Sequence, residues 1–137
     1  MSAPTAVTAL GDADFLSLTT YRRTGEPVPT AVWAARDGDS LVVITSATSG
    51  KVKRIRRDPR VLLRPCDQRG TVAPDAPSAQ GRAEVVADRA AQEGPRRALA
   101  AKYGWKFRAI DLMALAGRVA ALLGRAPGER IILRLRD

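Results

Sequence analysis

The chain has 137 residues, enough for one hydrophobic core and too few for two, so a single domain spanning residues 1–137 is expected. Its 23 Lys and Arg against 14 Asp and Glu leave a formal charge of +9, a field that gathers phosphates, polycarboxylates or nucleic acid. With no histidine and one cysteine, Cys66, the chain lacks the parts of Ser-His-Asp or Cys-His nucleophile systems and of Cys/His zinc sites, so no metal is expected and a reaction would be carried by a cofactor.

In chain order, residues 1–12 show no basic start followed by an apolar run, hence no signal-peptide pattern. Phe15-Leu16-Ser17-Leu18-Thr19-Thr20 alternates in residues that favour a strand. Thr24-Gly25-Glu26 turns the chain into a second strand over 28–35. Asp37-Gly38 then marks a hairpin into a third strand over 41–45. Ser49 is placed to cap a short helix that Pro59 ends, with Val52 and Ile55 facing inward. Further strands are expected over 61–63 and 80–87, separated by a loop around Pro74 and Pro77.

Residues 88–103 read as helical, interrupted at Gly94-Pro95, with Pro95 opening a new segment and Gly104 closing it. A further helix is expected over 106–123 and a last strand over 130–135. The apolar region 107–123 is broken by Arg108, Asp111 and Arg118, which argues against a membrane span. The lone Cys66 reads as a small buried residue and suits a reducing compartment, so a soluble cytoplasmic protein is expected. The pattern is mainly β with helices appended late.

The sharpest local feature is the strand-to-helix junction Thr45-Ser46-Ala47-Thr48-Ser49-Gly50-Lys51. Hydroxyls, a glycine that permits close approach and a helix N-terminus together suit a bound phosphate, and Lys51 adds a full positive charge. The glycine order of a P-loop is absent, which removes a nucleoside triphosphate site. A helix cap followed by a solvated basic face explains the same residues without a ligand. Lys51, Lys53, Arg54, Arg56, Arg57 and Arg60 form the densest basic cluster. It suits nucleic acid less well than a phosphorylated cofactor, because stacking aromatics are not interleaved with it. Trp33 and Trp105 either fill a core or flank a planar ring, and Tyr103-Gly104-Trp105 is the better candidate for a ligand wall.

Taken together, Leu18-Thr19-Thr20-Tyr21-Arg22 with Gly25, Pro27-Val28-Pro29-Thr30-Ala31-Val32-Trp33, Asp37-Gly38-Asp39, Ser49-Gly50-Lys51-Val52-Lys53-Arg54-Ile55-Arg56 with Pro59, Pro65-Cys66-Asp67-Gln68-Arg69-Gly70, Gly81-Arg82-Ala83 and Lys102-Tyr103-Gly104-Trp105 carry a resemblance. The chain resembles the pyridoxamine 5'-phosphate oxidase-like superfamily, within it the group of deazaflavin-dependent oxidoreductases that use coenzyme F-420. The resemblance implies a six-stranded antiparallel split β-barrel that forms a homodimer, with two cofactor sites at the subunit interface. It implies that Pro29, Thr30, Ala31, Val32 and Trp33 run beside the tricyclic ring, that Thr45 and Ser46 line the ribityl chain, and that Ser49, Gly50 and Lys51 hold the phosphate, with Lys53 and Arg54 contributing. Flavin-using relatives typically carry arginine where this chain has Gly50, which favours the deazaflavin over flavin mononucleotide (FMN). The implied activity is hydride transfer from the reduced deazaflavin to an organic substrate. An FMN oxidoreductase of the same fold and a basic nucleic-acid-binding module are the alternatives. Tyr21, Tyr103 and Cys66 all carry dissociable protons, and their spacing selects none of them as the donor.

Overall fold

The structure is a computed structural model that describes residues 7–104 and 130–137. The helix expected over 106–123 and Trp105 lie outside the described residues. Among the described residues there are seven strands: β1 (Phe15–Tyr21), β2 (Pro27–Val32), β3 (Ala34–Asp37), β4 (Ser40–Ser46), β5 (Arg60–Cys66), β6 (Ala79–Val86) and β7 (Arg130–Arg136). Two helices accompany them, α1 (Gly50–Arg57) and α2 (Glu93–Tyr103). The strands form one sheet in the order β2-β1-β5-β6-β7-β4-β3, and every pairing is antiparallel.

The two edge strands, β2 and β3, are consecutive in the chain and separated by Trp33 alone. The sheet therefore has to curl until its edges meet at that residue. The single strand expected over 28–35 is corrected here: it bends at Trp33, so that Val32 pairs with Leu16 of β1 while Ala34 pairs with Val43 of β4. Taken as one bent stave, β2 and β3 bring the seven strands back to the six expected of a split barrel.

Alternation along the strands sends Leu16, Leu18, Val43, Val61, Leu63, Leu133 and Leu135 into the barrel, where they form the main core with Val52 and Ile55 of α1. Outside the barrel, Leu99 of α2 covers Ala35, Val42, Ile44 and Ile132 in a second cluster. Val42, Ile44 and Ile132 alternate with the residues of the main core, so β4 carries apolar residues on both faces and β7 adds Ile132 to the outer one. In α2, Pro95 stands in the first turn rather than opening the helix, at a position where a missing N–H is tolerated. The helix closes at Gly104 with φ +60°, as expected. Among the described residues, no helix is long and apolar enough to cross a membrane.

Gly81 of β6 faces inward between Val7 and the last strand. A Cβ there would collide with the backbone carbonyl of Arg136 and stand 2.8 Å from Cγ2 of Val7. The contact with β7 is backbone and cannot swing aside. Gly81→Ala is expected to destabilise the fold by about 1–3 kcal/mol, the usual cost of overpacking, read as a lower urea midpoint at unchanged m-value.

Candidate functional site

A cavity of about 290 Å³ opens where the sheet edges meet, lined by Phe15, Ala31, Val32, Trp33, Ile44, Thr45, Lys51, Gln68 and Arg130. Its volume lies near the lower end of small-molecule pockets, roughly 300–1,000 Å³. Phe15, Ala31, Val32, Trp33 and Ile44 give it apolar walls, and Lys51, Arg130, Thr45 and Gln68 give it a polar rim. The bend at Trp33 creates the space, because β2 leaves toward β1 and β3 toward β4 from the same point.

The polar rim is cationic. Lys51, half-buried in the first turn of α1, donates from Nζ to Thr45 Oγ1 at 3.1 Å. Burial first, then the positive charges of Arg54 and Arg130, hold its ammonium below the ordinary value of 10.5. Arg54 is also lowered, by burial and then by Arg22, and its Nε donates to Thr20 Oγ1 at 2.6 Å. No ion pair joins Lys51, Arg54 or Arg130 to a carboxylate among the described residues. Lys51 and Arg54 are oriented by neutral hydroxyls, so their charge stays available to an anion.

Ser49 takes the N-cap position of α1, yet its side chain caps nothing. Its Oγ is buried without a hydrogen-bond partner, an arrangement that costs stability unless a further group completes it. The junction before it is a turn in which Thr48 N–H donates to Ser46 Oγ and the two hydroxyls lie 3.1 Å apart. A phosphate seated on α1 would give the Ser49 hydroxyl an acceptor and the paired cations a counter-charge, so the residues present fit a phosphate-bearing cofactor.

The apolar wall is held from behind. Trp33 stacks on Tyr103 with centroids 4.6 Å apart and planes 9° from parallel. The Tyr103 hydroxyl accepts from Ala34 N–H at 3.0 Å and lies within hydrogen-bond reach of the carbonyls of Asp14 and Ala34. Beside it, Lys102 Nζ donates to the carbonyls of Gly11, Ala13 and Ala34 at 2.7, 2.6 and 2.6 Å. Burial pushes the Tyr103 phenol up to about 12.

Of the residues expected at a cofactor site, Ala31, Val32, Trp33, Thr45 and Lys51 line one cavity. Ser49, Gly50 and Arg54 stand beside Lys51 on α1. Pro29 is exposed on β2, Thr30 turns its hydroxyl to the Leu18 carbonyl, Ser46 points into the turn and Lys53 faces solvent. Tyr103 stands behind Trp33 rather than in the cavity. Phe15, Ile44, Gln68 and Arg130 line the cavity without having been singled out from the sequence. Arg130 arrives through the pairing of Ser46 with Arg130 across β4 and β7, a register that no local pattern announces.

Tyr103→Phe removes the phenol that ties α2 to β3, and a loss of about 1–3 kcal/mol is expected in urea denaturation near neutral pH. The phenol's pKa is 10.0 ordinarily and about 12 in the fold. Its stabilising contribution is therefore complete below pH 10 and declines as pH rises toward 12, so the gap between wild type and Tyr103→Phe should narrow over that window.

A family model described as pyridoxamine 5'-phosphate oxidase matches residues 3–131. No curated protein matches the chain significantly. Solved structures with the same fold include a conserved hypothetical protein of Mycobacterium tuberculosis, 23% identical, with a TM-score of 0.64 over 98% of this chain and 79% of that one. A FAD-binding protein of Mesorhizobium loti is 14% identical, with a TM-score of 0.62 over 94% of this chain and 82% of that one. An F-420 reductase is 21% identical, with a TM-score of 0.53 over 98% of this chain and 94% of that one. At these identities the likeness is one of fold, and it agrees with the antiparallel split barrel. With the family match running over nearly its whole length, the chain belongs to the pyridoxamine 5'-phosphate oxidase family.

Proposed function

We propose that the protein is an oxidoreductase that binds the deazaflavin coenzyme F-420 and transfers hydride from its reduced form to an organic substrate. The observation that carries this reading is the convergence of Lys51, Arg54 and Arg130 beside an apolar cavity, with none of them paired to a carboxylate among the described residues. The family match and the F-420 reductase and FAD-binding neighbours support a redox cofactor of the flavin type.

In this reading Lys51, Arg54 and the first turn of α1 hold the phosphate, and Ser49 Oγ gains a partner. Thr45 fixes the Lys51 ammonium, and Trp33, braced by Tyr103, forms with Phe15 a rigid wall that positions the ring and excludes water. The exposed Lys53, Arg56 and Arg57 further along α1 suit the coenzyme's polyglutamate tail. When bound, the deazaflavin supplies a two-electron hydride donor and the protein supplies position and electrostatics. Gln68 and Ala31 are exposed on the cavity rim, which supports a homodimer whose second copy completes the wall. We place the protein in the cytoplasm, where the lone Cys66 remains reduced.

FMN is a second reading, favoured by one observation. The guanidinium of Arg54 occupies the space over Gly50, so the lack of arginine at position 50 does not leave the corner short of one. Nucleic acid fits less well, since Tyr21, whose carbonyl accepts from Arg57 of the basic helix, already carries Arg60 over its ring at 5.3 Å.

Titrating the wild-type protein into coenzyme F-420 is expected to quench or shift its fluorescence at micromolar concentrations. Unchanged fluorescence, together with a yellow protein after FMN addition, would transfer the assignment to FMN. Lys51→Met should weaken binding by about tenfold to a hundredfold, the usual worth of a charge-assisted contact. An anion favours the charged ammonium, so wild-type affinity should fall as pH rises through the lowered Lys51 pKa, and Lys51→Met should lose that part of the slope.

A further inference from the structure

Gly50 opens α1, and the space its side chain would occupy is already filled. A Cβ built there would stand 2.7 Å from Nη1 of Arg54 and 3.5 Å from its Cζ. Arg54 lies one helical turn further along, and side chains on a helix lean toward its N-terminus, so the guanidinium folds back over the first turn. Its Nε is anchored on Thr20 Oγ1, a hydroxyl of β1 that is wholly buried.

We propose that Gly50 and Arg54 form one anion-binding unit, in which the glycine exists to let the Arg54 guanidinium lie across the start of α1 beside Lys51. The inference rests on the phosphate reading above and adds why no side chain is present at position 50. Two observations beyond the close approach support it. The guanidinium is held next to the like-charged Lys51 by a neutral hydroxyl rather than a carboxylate, an arrangement that is unfavourable until an anion arrives. The Ser49 hydroxyl, adjacent in the chain to Gly50, is buried without a partner.

The collision at position 50 involves the end of a flexible side chain, so Gly50→Ala should leave the fold intact while displacing the guanidinium. Wild type, Gly50→Ala, Arg54→Gln and the double variant are titrated with coenzyme F-420 and FMN by fluorescence, and with inorganic phosphate by calorimetry. Gly50→Ala is expected to weaken binding by about tenfold, close to the effect of Arg54→Gln. The double variant should bind no more weakly than Arg54→Gln alone, because the glycine acts only through the arginine. Gly50→Ala should melt no lower than wild type, since alanine is the better helix former. Wild-type affinity in Gly50→Ala, or losses that add in the double variant, would overturn the inference while leaving the phosphate site in place. A wild-type protein that binds none of the three probes would overturn the phosphate reading and this inference with it. If Arg54→Gln does not fold, the comparison of Gly50→Ala with wild type decides alone.

Discussion

The covalent link through Trp33 is the constraint on which the rest of the structure depends. β2 and β3 are the two edges of the sheet, and one residue joins them. Paired with β1 on one side and β4 on the other, they can only be satisfied if the sheet rolls up, and the cavity opens at the seam where it does. Hydrogen bonding alone does not fix the bend. Tyr103 stacks on the indole, and its hydroxyl engages the backbone of Ala34, the first residue of β3. Lys102 gathers three carbonyls from Gly11, Ala13 and Ala34, so the N-terminal turn, β3 and the end of α2 converge on one ammonium. The wall of the cavity is thus set by contacts made on its far side.

Among the described residues, the cations held by carboxylates contrast with those beside the cavity. Arg36 meets Asp12, Arg60 meets Asp58, Arg97 meets Glu93, and Arg134 meets Asp37 while also donating to Ser40. Arg60 holds the Asp58 carboxyl down at about 2, chiefly through their side-chain hydrogen bonds. Lys51 and Arg54 instead donate to threonine hydroxyls. A hydroxyl orients a cation without neutralising it, whereas a carboxylate does both. Thr45 and Thr20 stand on strands of the barrel core, so the orientation is rigid. An excess of arginine explains the net charge; only this choice of acceptor explains why positive potential persists beside the cavity.

What the sequence made legible follows from the range of the interactions involved. The first strand, the Asp37-Gly38 hairpin, α1 with its two inward residues and the stop at Gly104 are all written in neighbouring residues, and the structure has them where expected. The junction from Thr45 to Lys51 was legible for the same reason, since hydroxyls, glycine and lysine are adjacent. The bend at Trp33 was not legible, because an uninterrupted β pattern over 28–35 gives no local sign that its halves pair with different neighbours. Arg130 and Phe15 reach the cavity through strand register, and Gln68 through the turn that follows β5, so no local pattern marks them. Tyr103, expected at a ligand wall from its place in the sequence, stacks on Trp33 and stands behind the lining of this cavity.

The lining chemistry bears on how such a site would work. Phe15, Ala31, Val32, Trp33 and Ile44 carry no titratable group, and neither do Thr45 and Gln68. Tyr103, with its phenol raised to about 12 and its hydroxyl engaged with backbone, is not a proton source for the cavity. Burial likewise raises the Cys66 thiol, which stands outside the cavity lining. Lys51 alone among these groups has an ammonium lowered toward neutrality, and a bound anion would raise it again and make it a weaker acid. In the proposed function the cavity seats a planar group and holds its anionic end, with proton transfer left to solvent, the substrate or a second copy of the chain. Reactivity in such a site resides in the bound group, and the residues that matter most are those that fix where it lies.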